Sequence, residues 1–189
     1  PTHSPTHLSF CRFACSLLIF CLFSLSAHLW AEEAAKLVRP EKRLTAIRAE
    51  QAPRIDGILD DDVWKIAPKA DGFTKREPEG HEGEPATYPT TVQVAYDDEA
   101  VYVGAFCYQD PETIVRRLYR RDQARDTDAI GVSFDAFHDR RMAWFFGASP
   151  AGTLEDGVQF NDTDYDPTWN GVWEAKTSIN DEGWCAEFR

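Results

Sequence analysis

The chain has 189 residues, enough for one domain with a tail and for a single core that buries roughly 70 % of the unfolded surface. Lys and Arg number 20 against 32 Asp and Glu, a net charge of −12, which excludes a nucleic-acid partner because phosphate binding relies on clustered cations. With 28 % charged and 43 % hydrophobic residues the composition is that of a globular domain and not of a disordered chain.

Residues 1–27 read as a secretory signal peptide. Arg12 is the only Lys or Arg before Lys36, and an uncharged, mostly apolar run follows it from Phe13 to Ala27, with small residues at Ser24 and Ser26. Continued to Ala31, the same run is long enough for an uncleaved anchor, the alternative to cleavage. Both place the protein outside the cytoplasm, in the periplasm, at the outer membrane or outside the cell. The first residue is Pro1, so the chain is expected to be a fragment. Removal of the leader takes Cys11, Cys15 and Cys21 with it and leaves Cys107 and Cys185, each expected in a strand as a buried free thiol.

Residues 28–50 read as a tail leading into a first edge strand at Arg43–Arg48, and residues 51–189 as a domain cut off at its last strand. Asp56-Gly57 is a tight-turn pair, and Asp60 caps a short helix whose apolar side is Val63, Trp64 and Ala67. Gly72 to Pro89, rich in Gly, Glu and Pro, reads as a long surface loop. Val92–Tyr96 and Ala100–Tyr108 alternate with period two on either side of Asp97-Asp98-Glu99, a hairpin.

Pro111–Arg125, with its five arginines, reads as a short helix or helical turn with a basic outer side. Ala129–Phe137 and Met142–Ala148 are strands about the turn Asp139-Arg140-Arg141, Val158–Phe160 is a brief further strand, and Asn161–Pro167 is an acidic loop. Trp173, Ala175, Thr177 and Ile179 share one strand face, Asp181–Gly183 turns, and Trp184, Ala186 and Phe188 begin the return. Strands separated by turn signals, with one or two short helices, predict an all-β protein: a two-sheet antiparallel β-sandwich.

Ile55-Asp-Gly-Ile-Leu-Asp-Asp-Asp-Val-Trp64 resembles the opening of family 9 carbohydrate-binding domains, and Ala100-Val-Tyr-Val-Gly104 resembles the strand after their Tyr-Asp-Asp hairpin. Arg121–Asp128, Phe134–Arg141, Pro150–Gly157, Trp169–Ala175 and Gly183–Arg189 narrow the likeness to the amino-terminal CBM9-like domain of large exported bacterial proteins. In those proteins the domain precedes a domain of unknown function thought to be an outer-membrane β-barrel. The resemblance implies a sandwich that binds an oligo- or polysaccharide, in carbohydrate catabolism or uptake at the cell envelope, with structural Ca2+. Two alternatives stay open: docking on the carboxy-terminal barrel, and service as an accessory domain of a glycoside hydrolase acting on O-glycosyl compounds.

Sugar recognition needs flat aromatic faces and planar polar groups. Trp64, Trp173 and Trp184 fall on apolar faces and are expected in the core, with Trp30 in or beside the leader. Trp169, in a polar loop, is the expected sugar platform, and Tyr165, in the loop before it, offers a second surface. Trp144, on a strand with two apolar faces, is a further candidate contact, and Arg140 could hold hydroxyls with its planar fork. Calcium requires six to eight oxygens. Asp162, Asp164 and Asp166 alternate as at the start of a calcium loop, though Pro167 and Trp173 break the EF-hand pattern, and Asp126 with Asp128 forms a second candidate pair. No catalytic motif is found, so hydrolase activity is expected only through downstream sequence.

Overall fold

Residues 42–76, 80–161 and 163–189 are described in the computed structural model, and the expected leader and nearly all of the tail lie outside them. In chain order the elements are β1 (Ile47–Arg48), α1 (Asp62–Ile66), β2 (Thr90–Tyr96), β3 (Val101–Tyr108), β4 (Ile130–Phe134), β5 (Met142–Ala148), β6 (Leu154–Phe160), β7 (Asp164–Asp166), β8 (Ala175–Asn180) and β9 (Gly183–Phe188). They form the expected two-sheet β-sandwich. One sheet runs β1-β2-β3-β9-β8 and the other β4-β5-β6-β7, and every pairing is antiparallel except β1 with β2.

The two sheets meet over one apolar layer. Val103, Cys107, Trp184, Ala186 and Phe188 from the first sheet pack with Ala148, Ile130, Val132, Phe146 and Leu154 from the second. The far face of the first sheet is covered too, by Val63, Trp64 and Ala67 of α1 and its end, on Ala95 and Tyr102. A sheet buried on both faces has no polar side to present, so all six residues of β9 are buried. Gly104 makes room for this covering, since a Cβ there would lie 2.8 Å from Leu59 Cδ2.

One charge sits inside that second layer. Glu187, 0 % exposed, points toward α1. Its Oε2 accepts from the backbone N–H groups of Asp56, Gly57 and Ile58 at 3.0, 2.7 and 3.2 Å, and its Oε1 accepts from Trp64 Nε1 at 2.8 Å. Burial pushes the carboxyl above its ordinary value, and the Trp64, Gly57 and Asp56 donors oppose that shift by favouring the anion. Gly57 completes the turn with φ +85°, where a Cβ would meet the Thr177 carbonyl carbon at 2.8 Å.

Both cysteines are buried and free, as expected. The register explains why they stay apart. Cys107 opposes Trp184 and Phe106 opposes Cys185, so the two sulfurs leave opposite faces of the sheet. Burial raises each thiol from 9.0 to about 11. Above pH 9 the unfolded chain releases protons that the folded chain keeps, so stability falls as pH rises from 9 through about 11. The expected slope approaches 1.4 kcal/mol per pH unit for each thiol. Denaturant titrations at pH 8 and pH 10.5 measure it, and a Cys107→Ala, Cys185→Ala double variant should flatten it.

Four expectations are corrected. Pro111–Arg125 is not a helix beyond the 3₁₀ turn Pro111–Thr113. The arginine-rich stretch is instead held along β6, with Tyr119 N donating to Thr153 Oγ1 and Asp122 N to Leu154 O, both at 3.0 Å. Strand β6 starts at Leu154 and not Val158, because the charge of Asp156 is neutralised by Arg121. The acidic loop contains a short edge strand, β7, paired to β6 through Asp164, Tyr165 and Asp166. Within the expected Gly72–Pro89 loop, Phe73, Lys75, Glu84 and Ala86 bond across as a small backbone ladder.

Candidate functional site

Residues of both sheets line an open cleft of about 590 Å³. Trp144, Trp169, Trp173 and Phe146 line it from the second sheet and the loop before β8, and Phe188 and Arg189 from the first sheet. The rings interlock edge to face: Phe146 meets Trp169 at 5.8 Å and Trp173 at 5.2 Å between centroids, and Trp173 stacks on Phe188 at 6.1 Å and 10°. Arg189 reaches Glu99 and Glu174 at 3.6 and 3.5 Å, placing planar charged groups at the cleft's edge. Among the described residues, Trp173 Nε1 is the only buried side-chain polar atom without a hydrogen-bond partner.

The loop carrying Trp169 and Trp173 is tied down from below. Asp156, 0 % exposed on the inner face of β6, accepts from Arg121 Nε and Nη2 at 2.9 and 2.5 Å, and from Gly171 N at 2.6 Å. Arg121 in turn lies over the Trp173 ring, its Cζ 5.5 Å from the centroid. Gly171 leaves space for Trp169, whose Cη2 would be 2.7 Å from a Cβ there.

Trp144 and Trp169 therefore share one cleft, and Trp173, expected in the core, joins them. Tyr165 and Arg140 go elsewhere. The strand geometry of β7 turns Tyr165 to the outer face of the second sheet, edge-on to Phe145 at 6.0 Å. There Tyr165 and Arg140 line a second groove of about 490 Å³ with Arg76, Arg141 and Asp164. Burial raises the Tyr165 phenol, and the carboxylates of Glu155 and Asp122 add to the shift.

The described carboxylates proposed for calcium each have a partner nearby. Asp162 lies outside the described residues. Asp164 and Asp166 share a face of β7, but Asp164 Oδ2 accepts from Asn161 Nδ2 at 3.2 Å, and Asp166 Oδ1 from Thr168 N and Oγ1 at 2.8 and 2.6 Å. Those Thr168 donors hold the Asp166 carboxyl below its ordinary value. Asp128 accepts from Gln109 Nε2 and Val115 N, while the exposed Asp126 is 3.9 Å from Arg117. Among the described residues, no three His, Cys, Asp or Glu side chains are grouped to hold a metal.

No family model matches the chain, and no curated protein does. Solved structures do. A carbohydrate binding module family 9 from Caldicellulosiruptor kristjanssonii in complex with cellotriose superposes with a TM-score of 0.56 at 18 % identity, over 78 % of this chain and 66 % of that one. The fold is CBM9-like. A family 9 module from the same organism in complex with glucose gives a TM-score of 0.52 at 17 % identity, over 76 % and 66 %. The chain thus spans just under two thirds of the length of these CBM9 neighbours.

Sequence reasoning missed Asp156 and Arg121, which position the aromatic loop, and Glu187. The one available signal was an acidic residue at an apolar-periodic position, Asp156 between Leu154 and Val158.

Proposed function

We propose that the protein is an exported, non-catalytic module that binds a carbohydrate chain in the inter-sheet cleft. The observation that carries this reading is a cleft lined by three indoles, with Phe146 and Phe188 beside them and a guanidinium at its rim. Indole faces suit the C–H side of a pyranose ring. Arg189 and Glu99 supply fork-like polar contacts at the rim. The family 9 modules found with cellotriose and glucose support β-glucosyl units as the first ligands to test. The apolar run Phe13–Ala27 supports export. A role in carbohydrate uptake or catabolism, alone or beside a barrel or hydrolase, is the larger setting this reading fits.

Tryptophan fluorescence titrated with glucose and cello-oligosaccharides tests it. A saturable shift is expected, weakened at least tenfold in Trp169→Ala, which removes about 1.5 kcal/mol or more of stacking and burial. A folded protein that gives a flat response to neutral and acidic sugars alike would overturn the reading.

A further inference from the structure

The outer groove carries a different chemistry from the cleft. Arg76, Arg140 and Arg141 converge on it, and among the described residues none of these three guanidinium groups has a carboxylate partner. The acids nearby are engaged by their own loops. Asp135 accepts from Asp139 N and Arg140 N at 3.2 and 2.8 Å, which holds its carboxyl below the ordinary value, and Asp139 Oδ1 accepts from Arg141 N at 2.8 Å. Asp164, also on the groove, takes Asn161 Nδ2. In a chain of net charge −12, the groove gathers three guanidinium groups against two lining carboxylates, and among the described residues none of the three is ion-paired.

An aromatic face lies beside them. Tyr165 is 44 % exposed and rests on Gly157, where a Cβ would come within 2.5 Å of its Cζ, so the ring lies close against the sheet. Gln159, on the same groove, adds a planar amide, already bonded to Ser133 Oγ at 2.9 Å. Arg140 is held with φ +59° at the tip of the β4–β5 hairpin, and the two backbone bonds to Asp135 fix that turn.

We infer that this groove takes an anionic sugar residue, with its ring on Tyr165 and its carboxylate or sulfate on Arg140 and Arg141. Guanidinium forks pair in planar, two-point fashion with such oxyanions, and a neutral sugar leaves them without a counter-charge. The inference rests on the carbohydrate reading above and extends it to acidic glycans at a second place.

Calorimetry on the full chain tests it with three probes of matched length: an oligogalacturonide, a sulfated galactan oligosaccharide and cellotriose. The acidic probe that fits should bind at least tenfold more tightly in 20 mM than in 500 mM salt. An Arg140→Asn, Arg141→Gln double variant, whose exposed turn keeps its backbone bonds, should lose that binding and leave cellotriose unchanged. Preference for the uronate or for the sulfate identifies the anion. Cellotriose binding lost in Trp169→Ala, together with acidic binding absent or untouched by the arginine variant, overturns this inference and leaves the cleft reading standing. Absence of all binding to a folded chain overturns both.

Discussion

Glu187→Ala is expected to destabilise the domain by about 3–5 kcal/mol, a fall in Tm of roughly 10 °C or more. Truncation leaves two buried donors without acceptors, Gly57 N and the indole of Trp64, while Asp56 N keeps Arg54 O at 2.9 Å and Ile58 N keeps Asp56 Oδ1 at 3.0 Å. Both lie buried where α1 packs on the sheet. Glu187→Gln should fall in between, because its amide keeps one acceptor and turns an N–H toward a donor. Gly57→Ala, which forces a Cβ against the Thr177 backbone at a positive φ, should weaken the same junction from the other side. Glu174→Ala is the control, since its carboxylate is half-exposed at 3.5 Å from Arg189 and is worth about 0.5 kcal/mol at most. Urea titrations of the four variants measure the differences. Equal losses in Glu187→Ala and Glu174→Ala would mean that the buried carboxylate does not hold the junction.

That junction shows what a sequence reveals and what it withholds. Ile55–Trp64 and Gly183–Arg189 were each conspicuous as motifs, yet the chemistry joining them is a contact across more than 120 residues. Alternation located β2, β3, β5, β8 and β9, because residues that alternate between a core and another surface leave a local trace. Strand β6 left none in its first half: Leu-Glu-Asp-Gly looks like a turn until Arg121 is placed against Asp156, 35 residues away. Trp169 and Tyr165, four residues apart, were read as a platform and a second surface within neighbouring loop sequence. The intervening edge strand sends them to opposite sides of the sheet, and edge pairing is not encoded in composition. Trp173 alternates with buried Ala175 and so reads as core, but it lines the cleft.

The second large effect is expected at the Arg121–Asp156 pair, where order matters more than size. Arg121→Ala should cost about 3 kcal/mol or more, because it strands a carboxylate that is 0 % exposed. Asp156→Ala should cost less, since the guanidinium it frees is 38 % exposed and can turn to water, leaving Gly171 N as the unpaired group. The double variant should then be more stable than Arg121→Ala alone, a sign of coupling that a double-mutant cycle reads directly. Both single variants should also shift Trp173 emission to the red, as Arg121 leaves its ring or the Gly171 anchor is lost. If the pair serves the cleft as well as the fold, sugar affinity should fall with Asp156→Ala even where the domain remains folded, because Trp169 rides on the same loop. A cycle in which Asp156→Ala is the costlier change would place the main strain at Gly171 and not at the buried charge.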